Sequence, residues 1–208
     1  MDSQSASHLL KNFNVSRESL ARLEIYVDTL LSWQRRINLI GPSTVESIWS
    51  RHIFDAIQLL PLLPGGTRCI AELGSGAGNP GLVISIVANL EAHLYESNAK
   101  KAAFLREAAR KTGMKCTVHN VRLETLKGKA DLPKIQCVVA RALAPLPLLL
   151  DYAEPFLSQG AVGLFHKGQD VELELTGATK YWTLNFSKHQ SICDSRGVIL
   201  EVKEAHRV

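Results

Sequence analysis

Cysteine is scarce and scattered in this 208-residue chain: Cys69, Cys116, Cys137 and Cys193 stand far apart, with no C-x-x-C pair and no His/Cys spacing suited to zinc. That excludes a disulfide-stapled scaffold and a zinc module. The four thiols read instead as small core residues in a reducing compartment, the first three inside predicted strands. Long apolar runs are also missing. Residues 59–63 are far too few to cross a bilayer and are broken by Pro61, and the opening Met1-Asp2-Ser3-Gln4 lacks the basic-then-apolar order of a secretory signal. A cytoplasmic protein with no membrane partner and no metal is therefore expected. There are no internal repeats, no low-complexity tracts, and no Ser/His/Asp or paired-carboxylate arrangement for nucleophilic or acid–base catalysis. With 46% hydrophobic and 21% charged residues, the chain has the makings of one globular unit with an N-terminal appendage.

What is present centres on residues 67–82. Thr67 to Leu73 is a short apolar run bounded by Gly65-Gly66 and Gly74, which predicts a buried strand. Gly74, Gly76 and Gly78 allow a tight turn that brings bare N–H groups close to a ligand, and Pro80 suits the first turn of a helix running through Leu82 to Ala88. A dinucleotide fingerprint starting at Gly74 would need glycine at position 79, where Asn79 stands, and no G-K-[ST] follows. The remaining pattern, E-x-G-x-G-x-G from Glu72, resembles motif I of Rossmann-like S-adenosylmethionine methyltransferases. A glycine turn alone favours any α/β protein. The second predicted strand, His93-Leu94-Tyr95-Glu96, changes that balance, because it ends in an acid about 20 residues past the first glycine, placed to accept from both hydroxyls of a ribose.

Residues 67–142 carry 12 Lys/Arg against 6 Asp/Glu, whereas residues 1–66 balance at 6 each and residues 143–208 are slightly acidic, with 6 against 8. The basic surplus thus falls on the segment with the glycine loop; it fits a polyanionic partner or, more blandly, a solvated helix face.

In chain order, residues 1–15 are polar, Ser16 is the expected N-cap, and Leu20, Leu23, Tyr26, Val27, Leu30 and Leu31 recur at helical spacing. The helix is expected to continue past Trp33 to Leu39. A second helix is predicted from Thr44, with Ile48, Trp49, Ile53, Ile57 and Leu60 on one side and Arg51 positioned to pair with Asp55 one turn on. Together these make a helical cap, residues 1–66, before a Rossmann-like domain, residues 67–208. After Glu96, Asn98 caps a helix with Ala102, Ala103, Leu105 and Ala109 inward and Lys100, Lys101, Arg106, Arg110 and Lys111 solvated, ended by Gly113. Lys115–His119, Ile135–Ala140 and Gly160–His166 read as further strands, with a loop or short helix at Val121–Leu126 and an apolar helix from Pro145 to Leu157. Trp182–Lys188 and Gly197–Val202 look like adjacent strands. The fold class is α/β: a doubly wound, mostly parallel seven-stranded sheet with a C-terminal antiparallel hairpin.

Five stretches in order resemble one family. They are Ile37-Asn38-Leu39; Arg51-His52-Ile53 with Asp55; Glu72 through Gly81; Glu96-Ser97 with Lys100-Lys101 and Phe104-Leu105-Arg106; and Ala140-Arg141-Ala142 with Lys167-Gly168-Gln169. Together they are similar to the bacterial 16S ribosomal RNA guanine-N7 methyltransferases, also called glucose-inhibited division protein B, over nearly the whole chain. The resemblance implies S-adenosyl-L-methionine as cofactor, held by Gly74, Gly76, Gly78 and Asn79, by Glu96, and by Leu123-Glu124 beside the adenine. It implies Arg141 as an orienting group at guanine O6 or at the donor's carboxylate. It also implies an RNA or 30S-subunit substrate, with Arg51 and His52 facing that substrate or docking the cap, and Lys100, Lys101, Arg106 and Lys167 as further RNA contacts; a monomeric enzyme is expected. At Asn79 the chain departs from the family pattern, which has an apolar residue before Pro-Gly.

The bland readings stay beside these. Arg51 with Asp55 is an ordinary surface ion pair, Arg122 and Glu124 are solvated loop charges, and His166 with Lys167 is an edge charge pair. His119 and His189 read as surface residues. Guanine N7 has a lone pair and no proton, so its attack on a sulfonium methyl requires no general base, consistent with the missing catalytic dyad. Two alternatives remain: a methyltransferase acting on a small molecule or protein, and a non-catalytic nucleotide-binding module.

Overall fold

The computed structural model describes residues 11, 13–129 and 131–208; of the polar start expected at residues 1–15, residues 1–10 and 12 lie outside that description. Its frame is a sheet built from apolar runs too short for helices. β1 (Cys69–Leu73), β2 (Glu91–Tyr95), β3 (Cys116–His119), β4 (Cys137–Arg141) and β5 (Val162–Lys167) are parallel, and β6 (Trp182–Gln190) and β7 (Val198–Arg207) close the sheet as an antiparallel hairpin. The order is β3-β2-β1-β4-β5-β7-β6. The order turns back between β1 and β4, so a crevice opens beyond their C-terminal ends, where open α/β sheets bind ligands. Burial on both faces explains why Cys137 to Ala140 are all apolar and fully enclosed.

The helices are α1 (Arg17–Gln34), α2 (Gly81–Ala88), α3 (Ala99–Thr112), α4 (Leu146–Leu157) and α5 (Val171–Ala178). Ser16 caps α1 by accepting from Ser19 N–H at 3.0 Å, and Asn98 caps α3 by accepting from the N–H groups of Lys100 and Lys101. Gly113, at φ +67°, ends α3 as a left-handed C-cap. One apolar cluster joins Leu23, Tyr26 and Leu30 of α1 to Ile70, Leu82 and Phe104, so the N-terminal segment shares a core with one face of the sheet; α4, α5 and β7 cover the other.

Several expectations are corrected. α1 stops at Gln34, not near Leu39, because the Gln34 carboxamide folds the chain back: its oxygen accepts from Leu39 and Ile40 N–H at 2.9 and 3.1 Å, and its nitrogen donates to Ile40 O. The second cap helix is not a regular one. The chain runs through a 3₁₀ turn at Pro42–Thr44, a π-helical turn at Trp49–Phe54, one α turn at Asp55–Ile57 and another 3₁₀ turn at Leu60–Leu62. Its apolar side survives, with Ile48, Ile53 and Ile57 buried, but the widened turn aims His52 into the protein. Ala103 is exposed, and Phe104 and Ala108 fill the inward face of α3 in its place. Only Cys137 is fully buried; Cys69, Cys116 and Cys193 are half-buried. α5 was not foreseen, because its eight residues begin three positions after Gly168 and carry only Val171, Leu175 and Ala178 inward.

Candidate active site: a donor pocket and a charged cleft

Beyond the ends of β1 and β2 lies a pocket of about 320 Å³, lined by Gly74, Gly76, Glu96, Lys101, Leu123, Glu124 and Leu143 among others. Its floor is the glycine loop. A Cβ at Gly74 (φ +67°) would sit 2.5 Å from Leu143 Cδ1, so glycine is required where β4's loop crosses. The loop is held from three directions. Ser75 N–H donates to Tyr95 O at 2.9 Å, Gly76 N–H donates to Glu96 Oε2 at 2.8 Å, and the Tyr26 hydroxyl of α1 donates to Ala77 O at 2.7 Å. Glu96 is 8% exposed, and its other oxygen accepts from Asn98 N–H at 2.7 Å. Each carboxylate oxygen thus keeps one lone pair for a ligand. Across the pocket, Glu124 accepts from the Tyr152 hydroxyl at 3.1 Å; its own backbone N–H and that hydroxyl hold its carboxyl below the usual range.

Gly78 and Asn79 do not line this pocket. Gly78 is there for packing: at φ +78° a Cβ would meet Leu82 Cβ at 2.9 Å and Leu105 Cδ2 at 3.0 Å. Under the loop, Glu72 is almost wholly enclosed against Gly81, and burial pushes its carboxyl up to about 8. One of its oxygens, Oε2, has no well-formed hydrogen bond among the described residues. Glu72 is therefore mostly protonated at pH 7.

A second cavity, of about 440 Å³, opens on the other side of the β4 loop and is lined by Arg51, Asp55, Arg141, His166, Gln169, Asp194 and Arg196 among others. Ala142 borders both cavities and holds φ +49°, a strained conformation for a residue with a Cβ. One side-chain chain spans the boundary. Asn79 Nδ2 lies 3.1 Å from His52 Nδ1, Arg141 Nη1 also lies 3.1 Å from that nitrogen, and His52 Nε2 lies 2.8 Å from Thr44 Oγ1. Two donors on Nδ1 assign it as acceptor, with the proton on Nε2. Burial first, then the Arg141 and Arg51 charges, push the His52 imidazole down to about 4, so it is neutral. Arg141 continues the network: Nε pairs with Asp55 Oδ2 at 3.0 Å and Nη2 donates to Arg51 O at 3.0 Å. Asp55 also faces His166 Nε2 at 3.6 Å and accepts from Gln58 Nε2 at 2.7 Å. Burial lowers the His166 imidazole against the opposing pull of Asp55.

The Arg51–Asp55 pair read from the sequence does not form. Arg51 instead reaches Asp194 in the β6–β7 loop at 3.4 Å, because the π turn separates their directions and Arg141 takes Asp55. Buried His52 faces the glycine loop and not solvent. Lys167 is withdrawn too: its side chain is 6% exposed and its ammonium meets Glu174 of α5 at 2.5 Å and Ala144 O at 3.1 Å. Arg141 lines the charged cleft and not the donor pocket. Lys100 and Arg106 are exposed on α3. Sequence reasoning missed Tyr26, Gln58, Glu174, Asp194 and Arg196; none lies in a recognisable motif. The departure at Asn79 was the one available signal for the bond to His52.

A seven-stranded sheet in this order, with a glycine loop after β1 and an acid after β2, defines a class I methyltransferase. A putative O-methyltransferase from Klebsiella pneumoniae shares the fold with a TM-score of 0.60 at 14% identity over 97% of each chain. An O-methyltransferase from Bacillus cereus, solved with SAH, gives 0.58 at 13% identity over 86% of this chain and 90% of that one. Sequence narrows the class. Residues 19–201 match the family described as rRNA small subunit methyltransferase G, and the chain belongs to that family. It is 47% identical over 96% of its length to ribosomal RNA small subunit methyltransferase G of Paramagnetospirillum magneticum, covering 95% of that protein, and 48% identical over 93% to its counterpart in Rhodospirillum rubrum, covering 94%.

Proposed function

We propose that the chain transfers a methyl group from S-adenosyl-L-methionine to N7 of one guanosine in 16S ribosomal RNA. The observation that carries this is the pairing of two cavities across Ala142: a glycine-lined pocket with a carboxylate at its edge, and a charged cleft fed by Arg141. The donor pocket fits its group. Glu96 has lone pairs free for ribose hydroxyls, Leu123 offers an apolar face to adenine, and Gly74 lets a ligand lie on bare backbone. The bound donor supplies a methyl on a positively charged sulfur.

This chain's own work is alignment. Neutral Glu72 places no full negative charge under the loop, and Tyr26 and Glu96 fix the loop's height. Arg141, with three of its five N–H groups committed to the cap, holds the guanine at O6 so that N7 faces the donor pocket. No side chain takes a proton, since N7 has none to lose. The cap of residues 1–66 docks the loop through His52 and Tyr26, and Lys100, Lys101, Arg106 and Arg51 receive RNA phosphates. The enzyme works as a monomer in the cytoplasm on rRNA or the 30S particle, whose target base must be unstacked to reach the cleft. Among the described residues no helix is long and apolar enough to cross a membrane and no group of His, Cys, Asp and Glu could hold a metal. The test is incubation with labelled donor and ribosomal subunits from a strain lacking the enzyme, followed by nucleoside mass spectrometry. Expected is 7-methylguanosine; N1-, N2-, ribose- or cytosine-methylated product overturns the reading.

A further inference from the structure

On the outer face of α1 and α3 lies a groove of about 430 Å³ walled by Trp33, Arg36, Ala103, Arg106, Glu107 and Arg110. The two helices run antiparallel. Arg22, early in α1, lies 3.6 Å from Met114 Sδ just past the end of α3, and Trp33, near the end of α1, meets Phe104 edge-on at 5.9 Å in the first half of α3. The groove therefore runs along the middle of α3, from Ala103 to Arg110, and shares no lining residue with the donor pocket.

Its chemistry is unmatched within the protein. Glu107, the one acid, is neutralised by two 2.9 Å bonds from Arg110 and by Lys111 at 3.7 Å. The Arg36 guanidinium makes no hydrogen bond or ion pair among the described residues, and that of Arg106 makes only a 3.5 Å contact with Val118 O. Trp33 is half-buried, with its indole N–H unbonded among the described residues. Ala103, exposed and small, lines the groove beside the ring. Two unpaired guanidinium groups flanking an accessible aromatic face are the elements that hold a nucleic-acid backbone and stack a splayed base. An acidic protein segment would satisfy the cations and leave the aromatic slot unused.

We propose that this groove is a second RNA-holding site, remote from the methyl-transfer centre, in which Arg36 and Arg106 take phosphates and Trp33 stacks an unpaired base of the substrate rRNA. It rests on the rRNA reading above. It anchors the RNA on the cap, so that α1 acts in substrate binding as well as in support of the glycine loop.

The test uses the full chain in two forms, Arg36→Glu with Arg106→Glu, and Ala103→Glu, which fills the groove from an exposed helical position without touching the core. Binding to a 16S rRNA transcript is measured over a salt series, together with S-adenosylmethionine affinity. Each form is expected to bind the transcript at least about 10-fold more weakly at low salt, and the double variant's log–log salt slope is expected to fall by about 0.7–0.9 per lost phosphate contact, with donor affinity unchanged. Wild-type transcript affinity and slope in both forms would overturn the proposal, provided the wild-type protein methylates rRNA. A loss on 30S subunits with none on the naked transcript would also overturn it, pointing to a ribosomal protein as the partner. Failure of the wild-type chain to methylate rRNA would remove the underlying reading and this proposal with it.

Discussion

The two cavities beside Ala142 are built in opposite ways. The donor pocket is made of short local pieces: a loop after β1, an acid after β2 and a 3₁₀ turn at Leu123–Leu126, joined mainly by backbone N–H groups. The charged cleft is made of side chains that meet across long stretches of sequence, Arg51 standing 90 positions from Arg141 and 143 from Asp194. A pocket of backbone and glycine tolerates variation in flanking side chains. A cleft whose central charges, Arg141 and Asp55, are partly buried and mutually dependent does not, because removing one member strands the other.

That difference gives a ranked set of expectations. The largest effect belongs to Glu96→Ala. It removes the acceptor for ribose and frees Gly76 and Asn98 N–H, at about 1.5–3 kcal/mol per charge-assisted bond, so donor affinity measured by calorimetry should fall on the order of 10²-fold while rRNA affinity holds. Unchanged donor affinity would break the assignment of this pocket. Next is Asp55→Ala, which leaves Arg141 without its carboxylate and frees Gln58; partial exposure of the pair limits the loss to about 2–4 kcal/mol of unfolding free energy in urea titration. Gly78→Ala should follow at about 1–3 kcal/mol, since the methyl must displace Leu82 and Leu105 in a left-handed backbone.

The last expectation, small per pH unit, is a pH dependence that separates the two regions. Burial holds His52 at about 4, below its ordinary value near 6.5, so its contribution is intact above pH 6.5 and lost as pH falls toward 4. Glu72, raised from about 4.5 to about 8, acts the other way: its contribution is intact below pH 4.5 and lost as pH rises through 8. Between pH 4.5 and 6.5 the two slopes oppose each other. Glu72→Gln should remove one of them, so its stability relative to wild type should grow by up to about 1.4 kcal/mol per pH unit between pH 4.5 and 8 and level off above pH 8. Parallel pH curves for the two proteins would contradict a buried neutral carboxyl under the loop.

The same contrast sets what could be read from the sequence. Gly74, Gly76 and Glu96 were legible because a strand, a tight turn and an acid after the next strand leave a short-range pattern, and the alternation of strands and helices implied a doubly wound, mostly parallel sheet. Arg141 was legible as a charge at a strand end. Its partners were not, since the hydrogen bonds from Asn79 and Arg141 to His52 depend on a π turn that helical spacing does not reveal. Lys167 looked free for RNA because its partner Glu174 sits on a helix too short and weakly periodic to predict. Gln34 ended α1 early through a side-chain clasp that apolar periodicity does not register.

The most direct test of a separately built donor pocket and acceptor cleft is Arg141→Gln, assayed for both donor affinity and turnover on rRNA. Arg141 touches the cap and the cleft but does not line the donor pocket. The variant should bind S-adenosylmethionine within about 3-fold of wild type while its kcat falls by about 10²-fold through misalignment of the base. A donor affinity that falls in step with turnover would contradict the account and place Arg141 at the cofactor.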